Sequence, residues 1–153
     1  MAEETFVEVR GLNRLVNRFR RLEGGILSEQ IMGEIATYVI FAIGQRTAVG
    51  VDAGGQNFKP YSPKYRLFRE ETGHQGTPVN LNYTGSMLSA MTYKTAKNYA
   101  EIFFMDTEDK YGGSNPQKAY YNQQNRNFFS VSVTEQEQIR EMVRDFIYNT
   151  LRE

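Results

Sequence analysis

The sequence predicts an α+β fold in which helices pack on a small antiparallel β-sheet. Apolar residues recur with a helical period near both ends of the chain, and two segments between Met91 and Met105 have the pattern of strands. No strand–helix–strand order appears that would favour a parallel sheet. At 153 residues the chain has the length of one ordinary domain, so a single domain over 1–153 is expected.

Two long helices are predicted before residue 50. The first runs from about Gly11 to Leu22 and is broken by Gly24 and Gly25, which supply backbone freedom. The second runs from about Ser28 to Val49, and its middle is apolar on nearly every side. The apolar stripe of the first helix consists of Leu12, Leu15, Val16, Phe19 and Leu22.

A row of arginines lies along the first predicted helix. Arg10, Arg14, Arg18 and Arg21 follow one another at helical intervals, so their guanidinium groups line up on one side. Aligned guanidinium groups can form paired hydrogen bonds with phosphate or carboxylate. A solvated helix face is the more common explanation of such a row. The functional interpretation is a face toward a DNA channel or an acidic partner.

A loop with two aromatic anchors, Phe58 and Tyr61, is predicted from Gly50 to Pro63 because glycines and prolines interrupt the helical pattern there. Ser62 followed by Pro63 has the pattern of a helix cap with proline at the first helical position. A short helix is therefore predicted to continue to about Glu71.

The centre of the chain predicts a β-hairpin. A mobile loop is expected at Thr72–Pro78, followed by a capped helical turn at Thr84–Leu88. Met91–Thr95 and Tyr99–Met105 are predicted strands joined by a turn at Ala96–Asn98. One face of the second strand is wholly apolar and should lie against the helices. That face consists of Ala100, Ile102 and Phe104.

The last third combines the longest predicted irregular segment with a well-marked helix. Asp106–Asn125 is polar, with a short helix as one interpretation of Lys118–Gln123, and Arg126–Val133 favours a strand or sheet edge. Thr134 and Glu137 form a capping-box pattern that predicts the start of the C-terminal helix. The apolar face of this helix consists of Ile139, Met142, Val143, Phe146, Ile147 and Leu151.

Composition excludes several kinds of site and partner. The chain has no cysteine, which rules out thiolate zinc sites, iron–sulfur clusters, disulfides and cysteine nucleophiles. The charges of its 18 basic and 18 acidic residues cancel, so the molecule has no net charge that would attract nucleic acid or anionic lipid. The N-terminus lacks the pattern of a signal peptide, and the apolar run Tyr38–Ile43 is too short to span a bilayer. We expect a soluble protein, made in the cytoplasm, with no membrane partner.

No residue pattern predicts catalysis or a bound cofactor. The pair Gly54 and Gly55 is explained by turn chemistry, because no strand or lysine of a phosphate-binding loop accompanies it. His74 has no partner in sequence that would make it a base or a metal ligand. The acidic run around Asp109 lacks the offsets of a calcium loop and predicts a solvated loop. We therefore predict no enzyme activity, no cofactor and no metal site.

Three segments carry a resemblance to a family. They are GVDAGGQNFKPYSPKY, VNLNYTGSMLSAMTYK and YYNQQNRNFFSVS, followed by a final helix. Their order and spacing are similar to those of the Mu-type phage virion morphogenesis proteins and related tail-completion proteins, and cover about residues 48–153. Many relatives have a His-x-x-Gly-like segment where this chain has Tyr121-Asn122-Gln123. The matching positions are Gly55, Phe58, Pro60 and Ser62; Leu81, Thr84, Gly85, Met87, Leu88 and Ala90; and Arg126, Phe128 and Phe129.

The resemblance implies a structural protein of the virion at the head–tail junction. Such a neck component is a tail terminator or tail-completion protein, forming a ring, commonly a hexamer, that caps the tail tube or links it to the head-completion proteins. A head-to-tail interface closes into a ring when its rotation divides the circle. In such a ring the irregular segments would reach neighbouring subunits, with amphipathic aromatic side chains as anchors. The predicted interface residues are Phe58, Tyr61, Tyr111, Tyr120 and Tyr121.

Three alternatives remain open at this point. A head-completion or stopper subunit on the other side of the joint has the same sequence features as a terminator. A small DNA-binding packaging accessory protein would use the arginine row, and its contact with genome DNA would be directed at phosphates and independent of sequence. An enzyme with a pair of carboxylates is the least favoured alternative, because no such pair is visible in the sequence.

Overall fold

The computed structural model describes residues 27–150 of the chain. Within that range the fold is α+β, as predicted, with five helices and a two-stranded antiparallel sheet. The predicted helix Gly11–Leu22, and with it Arg10, Arg14, Arg18 and Arg21, lies outside the described residues. The elements in chain order are α1 (Glu29–Ala48), α2 (Pro63–Glu71), α3 (Ser86–Ser89), β1 (Met91–Ala96), β2 (Tyr99–Phe104), α4 (Asn115–Asn125) and α5 (Val133–Thr150).

The hairpin has the predicted position and faces. β1 and β2 pair antiparallel from Met91 opposite Phe104 to Ala96 opposite Tyr99, which leaves Lys97 and Asn98 in the turn. On the predicted apolar face Ile102 is buried, while Ala100 and Phe104 pack against the core. α1 contacts both strands, so this face lies on the first helix. The alternation of apolar and polar residues therefore predicted both the pairing of the two strands and the face that packs on the helix.

The core lies where α1 packs against both strands of the hairpin and against α5. Phe128 and Phe129, just before α5, contribute fully or almost fully buried rings. The stretch Tyr38–Ile43 is not buried on every side, because Phe41 is 63% exposed while Val39 and Ile43 are buried. No helix within residues 27–150 is both long and apolar enough to cross a membrane. The helical core residues are Ile31, Met32, Ile35, Ala36, Val39 and Ile43 from α1, and Ile139, Val143 and Ile147 from α5.

The prediction of an irregular segment over Asp106–Asn125 is wrong in its second half, where α4 forms a regular helix. The hydroxyl oxygen of Ser114 accepts a hydrogen bond from the Gln117 amide and caps the helix, and Pro116 occupies its first turn. Only Asn115 and Ala119 of this helix are buried. A helix that buries so little apolar surface has no apolar period by which its sequence could be recognised.

Two predictions at the entrance to the C-terminal helix need correction. The segment Arg126–Val133 forms no strand. The rings of Phe128 and Phe129 are buried in the core, and the backbone of the segment does not pair with the sheet. The capping box lies two residues earlier than predicted. The Glu135 amide donates to the Ser132 hydroxyl oxygen at 3.2 Å, and the Ser132 amide donates to the Glu135 carboxylate at 2.7 Å. Thr134 is an exposed residue of the helix, and its place in the box is taken by Ser132.

Candidate functional site

A groove of about 750 Å³ lies between α2, the segment before α3, and α4. Tyr65 and Phe68 line it from α2, three residues apart, and Tyr61 lines it from just before that helix. Tyr83 and Tyr111 come from two separate loops. We call this surface the aromatic groove. Its polar lining includes Ser62, Asp109, Lys118, Asn122 and Arg126.

Arg69, on α2, is the buried centre of the wall of the groove. It is 1% exposed, and its guanidinium donates from Nε to the Gln75 carbonyl at 2.7 Å. Nη2 donates to the Asn80 side-chain oxygen at 3.1 Å and to the Asn82 carbonyl at 2.8 Å. The planar fork of arginine can serve several acceptors at once, which a lysine ammonium cannot do with the same geometry. Arg69 therefore fastens the whole segment 75–82 to α2.

Tyrosine rings surround the guanidinium of Arg69. Its Cζ lies 4.7 Å from the ring centre of Tyr61, 5.7 Å from that of Tyr65 and 5.6 Å from that of Tyr83. The Tyr61 hydroxyl accepts a hydrogen bond from the Leu81 amide at 3.1 Å. Burial raises the pKa of Tyr61, although the charge of Arg69 acts in the opposite direction. Tyr61 thus remains a neutral hydrogen-bonding ring at neutral pH.

Tyr83 connects the remaining aromatic side chains. Its ring stacks on His74 at 4.0 Å between centres and lies parallel to Phe68 at 6.0 Å, while Tyr111 lies 6.1 Å away. The loop predicted to be mobile, Thr72–Pro78, is held by this stack and by the His74 amide, which donates to the Arg69 carbonyl at 2.7 Å. His74 therefore supports Tyr83 by stacking on its ring and is not itself among the residues that line the groove.

Arg126 places a second guanidinium beside Tyr61. Its Cζ lies 5.2 Å from the Tyr61 ring centre, and its Nε donates to the Lys59 carbonyl at 2.8 Å. Burial lowers the pKa of Arg126 from its ordinary value. Within residues 27–150, the ion pairs join carboxylates to other Lys and Arg side chains. Neither Arg69 nor Arg126 has a carboxylate partner in that range. The groove thus combines aromatic faces with uncompensated positive charge.

The acidic loop before α4 is not wholly solvated, contrary to the prediction. The side chain of Asp109 is only 10% exposed and forms an ion pair with Lys118 on α4. One of its oxygens also accepts from the Tyr111 amide at 2.8 Å. The hydrogen bond from Lys118, followed by that from Tyr111, lowers the pKa of Asp109. In residues 27–150 no three His, Asp or Glu side chains form a group that could hold a metal ion.

The structure separates the five residues predicted as a subunit interface. Phe58 is 6% exposed and is a core residue, so its prediction as an anchor for a neighbour is wrong. Tyr61 is half-buried in the groove wall. Tyr111 lines the groove and is 67% exposed, whereas Tyr120 and Tyr121 are exposed at 45% and 57% on α4, outside the groove lining. Only the last three offer surface to a partner.

Backbone geometry explains why Phe58 turns inward. Gly50 has φ +78°, and a side-chain carbon there would meet the Val79 carbonyl at 2.9 Å. Its own carbonyl accepts from the Phe58 amide at 2.8 Å, and Val51 forms a bridge with Asn57. This narrow turn returns the chain to the core at Phe58.

Sequence reasoning missed Arg69, Tyr83 and Arg126 as parts of one site. A partial signal exists, because Tyr61, Tyr65, Phe68 and Arg69 are spaced so that a helix would place them together. The partners from residues 74–83 and from Arg126 are brought in by tertiary contacts, for which the sequence has no local signal.

The groove offers aromatic faces, hydroxyl groups and a guanidinium, which is chemistry suited to binding. Comparison of the chain with models of protein families, with curated proteins and with solved structures found no match. The contacts within residues 27–150 and the sequence itself are therefore the basis for a functional proposal.

Proposed function

We propose that this chain is a non-enzymatic structural subunit of a tailed-phage particle. It lies at the head–tail junction of the virion as one subunit of a ring, for which a hexamer is favoured. The ring terminates the tail tube or joins it to the head-completion proteins. The subunit is made in the host cytoplasm and needs no cofactor. The observation that carries the proposal is that the three segments with the family resemblance meet in space.

The contacts among these segments support a shared structural purpose. Arg126, from the third segment, donates hydrogen bonds to the carbonyls of Lys59 and Pro60 in the first, at 2.8 and 3.3 Å. Leu81, from the second, donates to Tyr61 in the first. Core residues come from all three segments as well. Of these contacts, the one between Arg126 and Pro60 joins two of the positions that match the family.

The exposed surface also supports assembly. Tyr120 and Tyr121 are neighbouring amphipathic side chains that reach solvent on α4, outside the lining of the groove. Tyrosine is enriched at protein contacts because its ring is apolar and its hydroxyl can hydrogen-bond. The rings of Tyr120 and Tyr121 lie 5.8 Å apart, edge to face, and form one patch on α4.

The direct test is the oligomeric state of the full chain, alone and with tail tube. Native mass spectrometry and negative-stain microscopy should show closed rings of uniform size. Monomers alone, even with tail tube present, contradict the proposal. Binding to tail tube identifies a terminator, whereas binding only to a portal-side protein identifies a head-completion subunit.

A second arm tests the arginine row. Replacing Arg10, Arg14, Arg18 and Arg21 together by Gln should impair particle assembly or genome delivery if they face the DNA channel or an acidic neighbour. Full assembly and delivery would remove that role. Affinity for duplex DNA that falls steeply with salt would instead favour a packaging accessory protein.

A further inference from the structure

The aromatic groove combines exposed aromatic rings with Arg126, a guanidinium that has no carboxylate partner among residues 27–150. Tyr65, Phe68 and Tyr111 expose 40%, 47% and 67% of their surfaces beside it. We propose that this groove binds the acidic segment formed by residues 1–9 of the same chain. The inference concerns the single subunit and does not depend on ring formation.

The charge of the groove selects an acidic occupant. Lys118 is neutralised by Asp109, but Arg126 lines the groove without a carboxylate partner among residues 27–150. Arg69 adds a second uncompensated charge behind the tyrosine rings, although its own hydrogen bonds keep it from direct contact. A half-buried guanidinium next to low-dielectric walls attracts a carboxylate more strongly than one in open solvent.

The chemistry of the groove favours a peptide over a nucleic acid. Aromatic rings offer an apolar surface on which the apolar side chains of a peptide can lie, while its polar groups remain at the rim. A nucleic acid strand needs several cations along its phosphates. Here Arg126 is accompanied in the lining by the Asp109–Lys118 pair, which adds no net charge.

The first nine residues have the matching chemistry. The segment MAEETFVEV carries Glu3, Glu4 and Glu8 around Phe6, and the first basic residue of the chain is Arg10. Its carboxylates suit Arg126, and the ring of Phe6 suits the exposed faces of the groove.

The segment can reach the groove of its own subunit. From Val9 to Leu27 the chain spans about 27 Å if wholly helical and about 60 Å if fully extended. A domain the size of residues 27–150 has a radius of gyration of about 14 Å, so the extended linker is long enough to reach the groove from any point on its surface. Because the segment is tethered, its effective concentration is of the order of millimolar, and a weak surface contact is enough to occupy the groove.

Photo-crosslinking in the full chain tests the proposal. p-Benzoyl-phenylalanine in place of Phe6 is irradiated in a mixture of isotopically light and heavy protein, and crosslinked peptides are mapped by mass spectrometry. The expected products join position 6 to the peptides containing Tyr65, Phe68 or Tyr111 within one chain. Crosslinks scattered over the surface, or only between light and heavy chains, overturn it.

Charge removal provides the second readout without touching the described fold. The triple variant Glu3→Gln, Glu4→Gln, Glu8→Gln should lower the crosslinking yield in the groove about threefold to fivefold. The matched control removes three exposed charges from α5 with Glu137→Gln, Glu141→Gln and Asp145→Asn and should leave the yield unchanged. Equal yields in the wild type and the N-terminal triple variant overturn the proposal. Ring formation is measured separately by native mass spectrometry, so failure of either proposal can be recognised by itself.

Discussion

Arg46 on α1 and Glu135 on α5 form a buried ion pair, with Nε donating to Oε1 at 2.5 Å between residues 89 positions apart in sequence. Arg46 also donates to the Ser130 carbonyl at 2.6 Å, and Glu135 accepts the Ser132 amide in the capping box. The same carboxylate therefore starts the last helix and attaches it to the first.

Replacing Glu135 by Ala should lower the free energy of unfolding by about 3–5 kcal/mol, because Arg46 is left buried without its counter-charge. Urea denaturation measures this loss. The matched control is Glu141→Ala, which breaks an exposed pair with Arg144. That change should cost no more than about 0.5 kcal/mol. Similar losses of unfolding free energy in the two variants would mean that the buried pair contributes no more to stability than the exposed one.

Arg69→Lys should destabilise the protein by about 3 kcal/mol, because an ammonium cannot satisfy the acceptors at Gln75, Asn80 and Asn82 together. Limited proteolysis should then cut between residues 72 and 82. Arg66→Lys, at an exposed position on the same helix, is the control. Unchanged resistance to protease in the Arg69 variant would contradict the role of the guanidinium as a clamp.

Phe128→Ala should cost about 3–5 kcal/mol in the free energy of unfolding, because its ring is fully buried and its removal leaves a cavity. Phe41→Ala removes the same atoms from a ring that is 63% exposed. The control should change stability by less than about 1 kcal/mol. Chemical denaturation of both variants gives the comparison, and equal losses would refute the assignment of Phe128 to the core.

The ion pair of Asp109 with Lys118 gives the protein a pH-dependent contribution to stability. Because the pKa of Asp109 is lowered in the folded state, the contribution is present above the ordinary carboxyl value of 3.8 and is lost as pH falls through the lower folded value. The melting temperature of Asp109→Asn should lie below that of the wild type at neutral pH. The difference should shrink as the pH falls below 3.8 and vanish once Asp109 is protonated in the folded protein. Asp106→Asn is the matched control, and a difference that persists in acid would exclude the ion pair as its cause.

The proposed ring should weaken when the tyrosine patch on α4 is removed. Tyr120→Ala with Tyr121→Ala should reduce self-association about tenfold or more, because exposed aromatic side chains carry much of the binding energy at interfaces. The melting temperature of the subunit should stay within a few degrees. Tyr99→Ala, on the hairpin and 58% exposed, is the control. If the double variant forms oligomeric rings as stable as those of the wild type, the tyrosine patch has no role in assembly.

Local patterns predicted the elements whose determinants are close in sequence. Ser62 and Pro63 mark the start of α2, which begins at Pro63 and ends at Glu71 as predicted. The hairpin was predictable because alternation and a polar turn act over a few residues. The arginine row lies outside the described residues, so it stays a prediction.

What the sequence could not predict depends on contacts between distant residues. Arg126 meets Lys59 across 67 positions, and Ser132 rather than Thr134 caps α5 because Glu135 is also bound to Arg46. Both TEQE and SVTE satisfy the same local pattern. Only a tertiary partner decides between them. The aromatic groove is a site of this kind, since its side chains come from four separate stretches of chain.

The distance in sequence between Arg46 and Glu135 has a consequence for biosynthesis. At a translation rate of about 5–20 residues per second, Arg46 is polymerised roughly 4 to 18 s before Glu135. During that interval Arg46 and the apolar face of α1 have no completed core to enter. The contact between α1 and α5 therefore forms only after Glu135 has been synthesised.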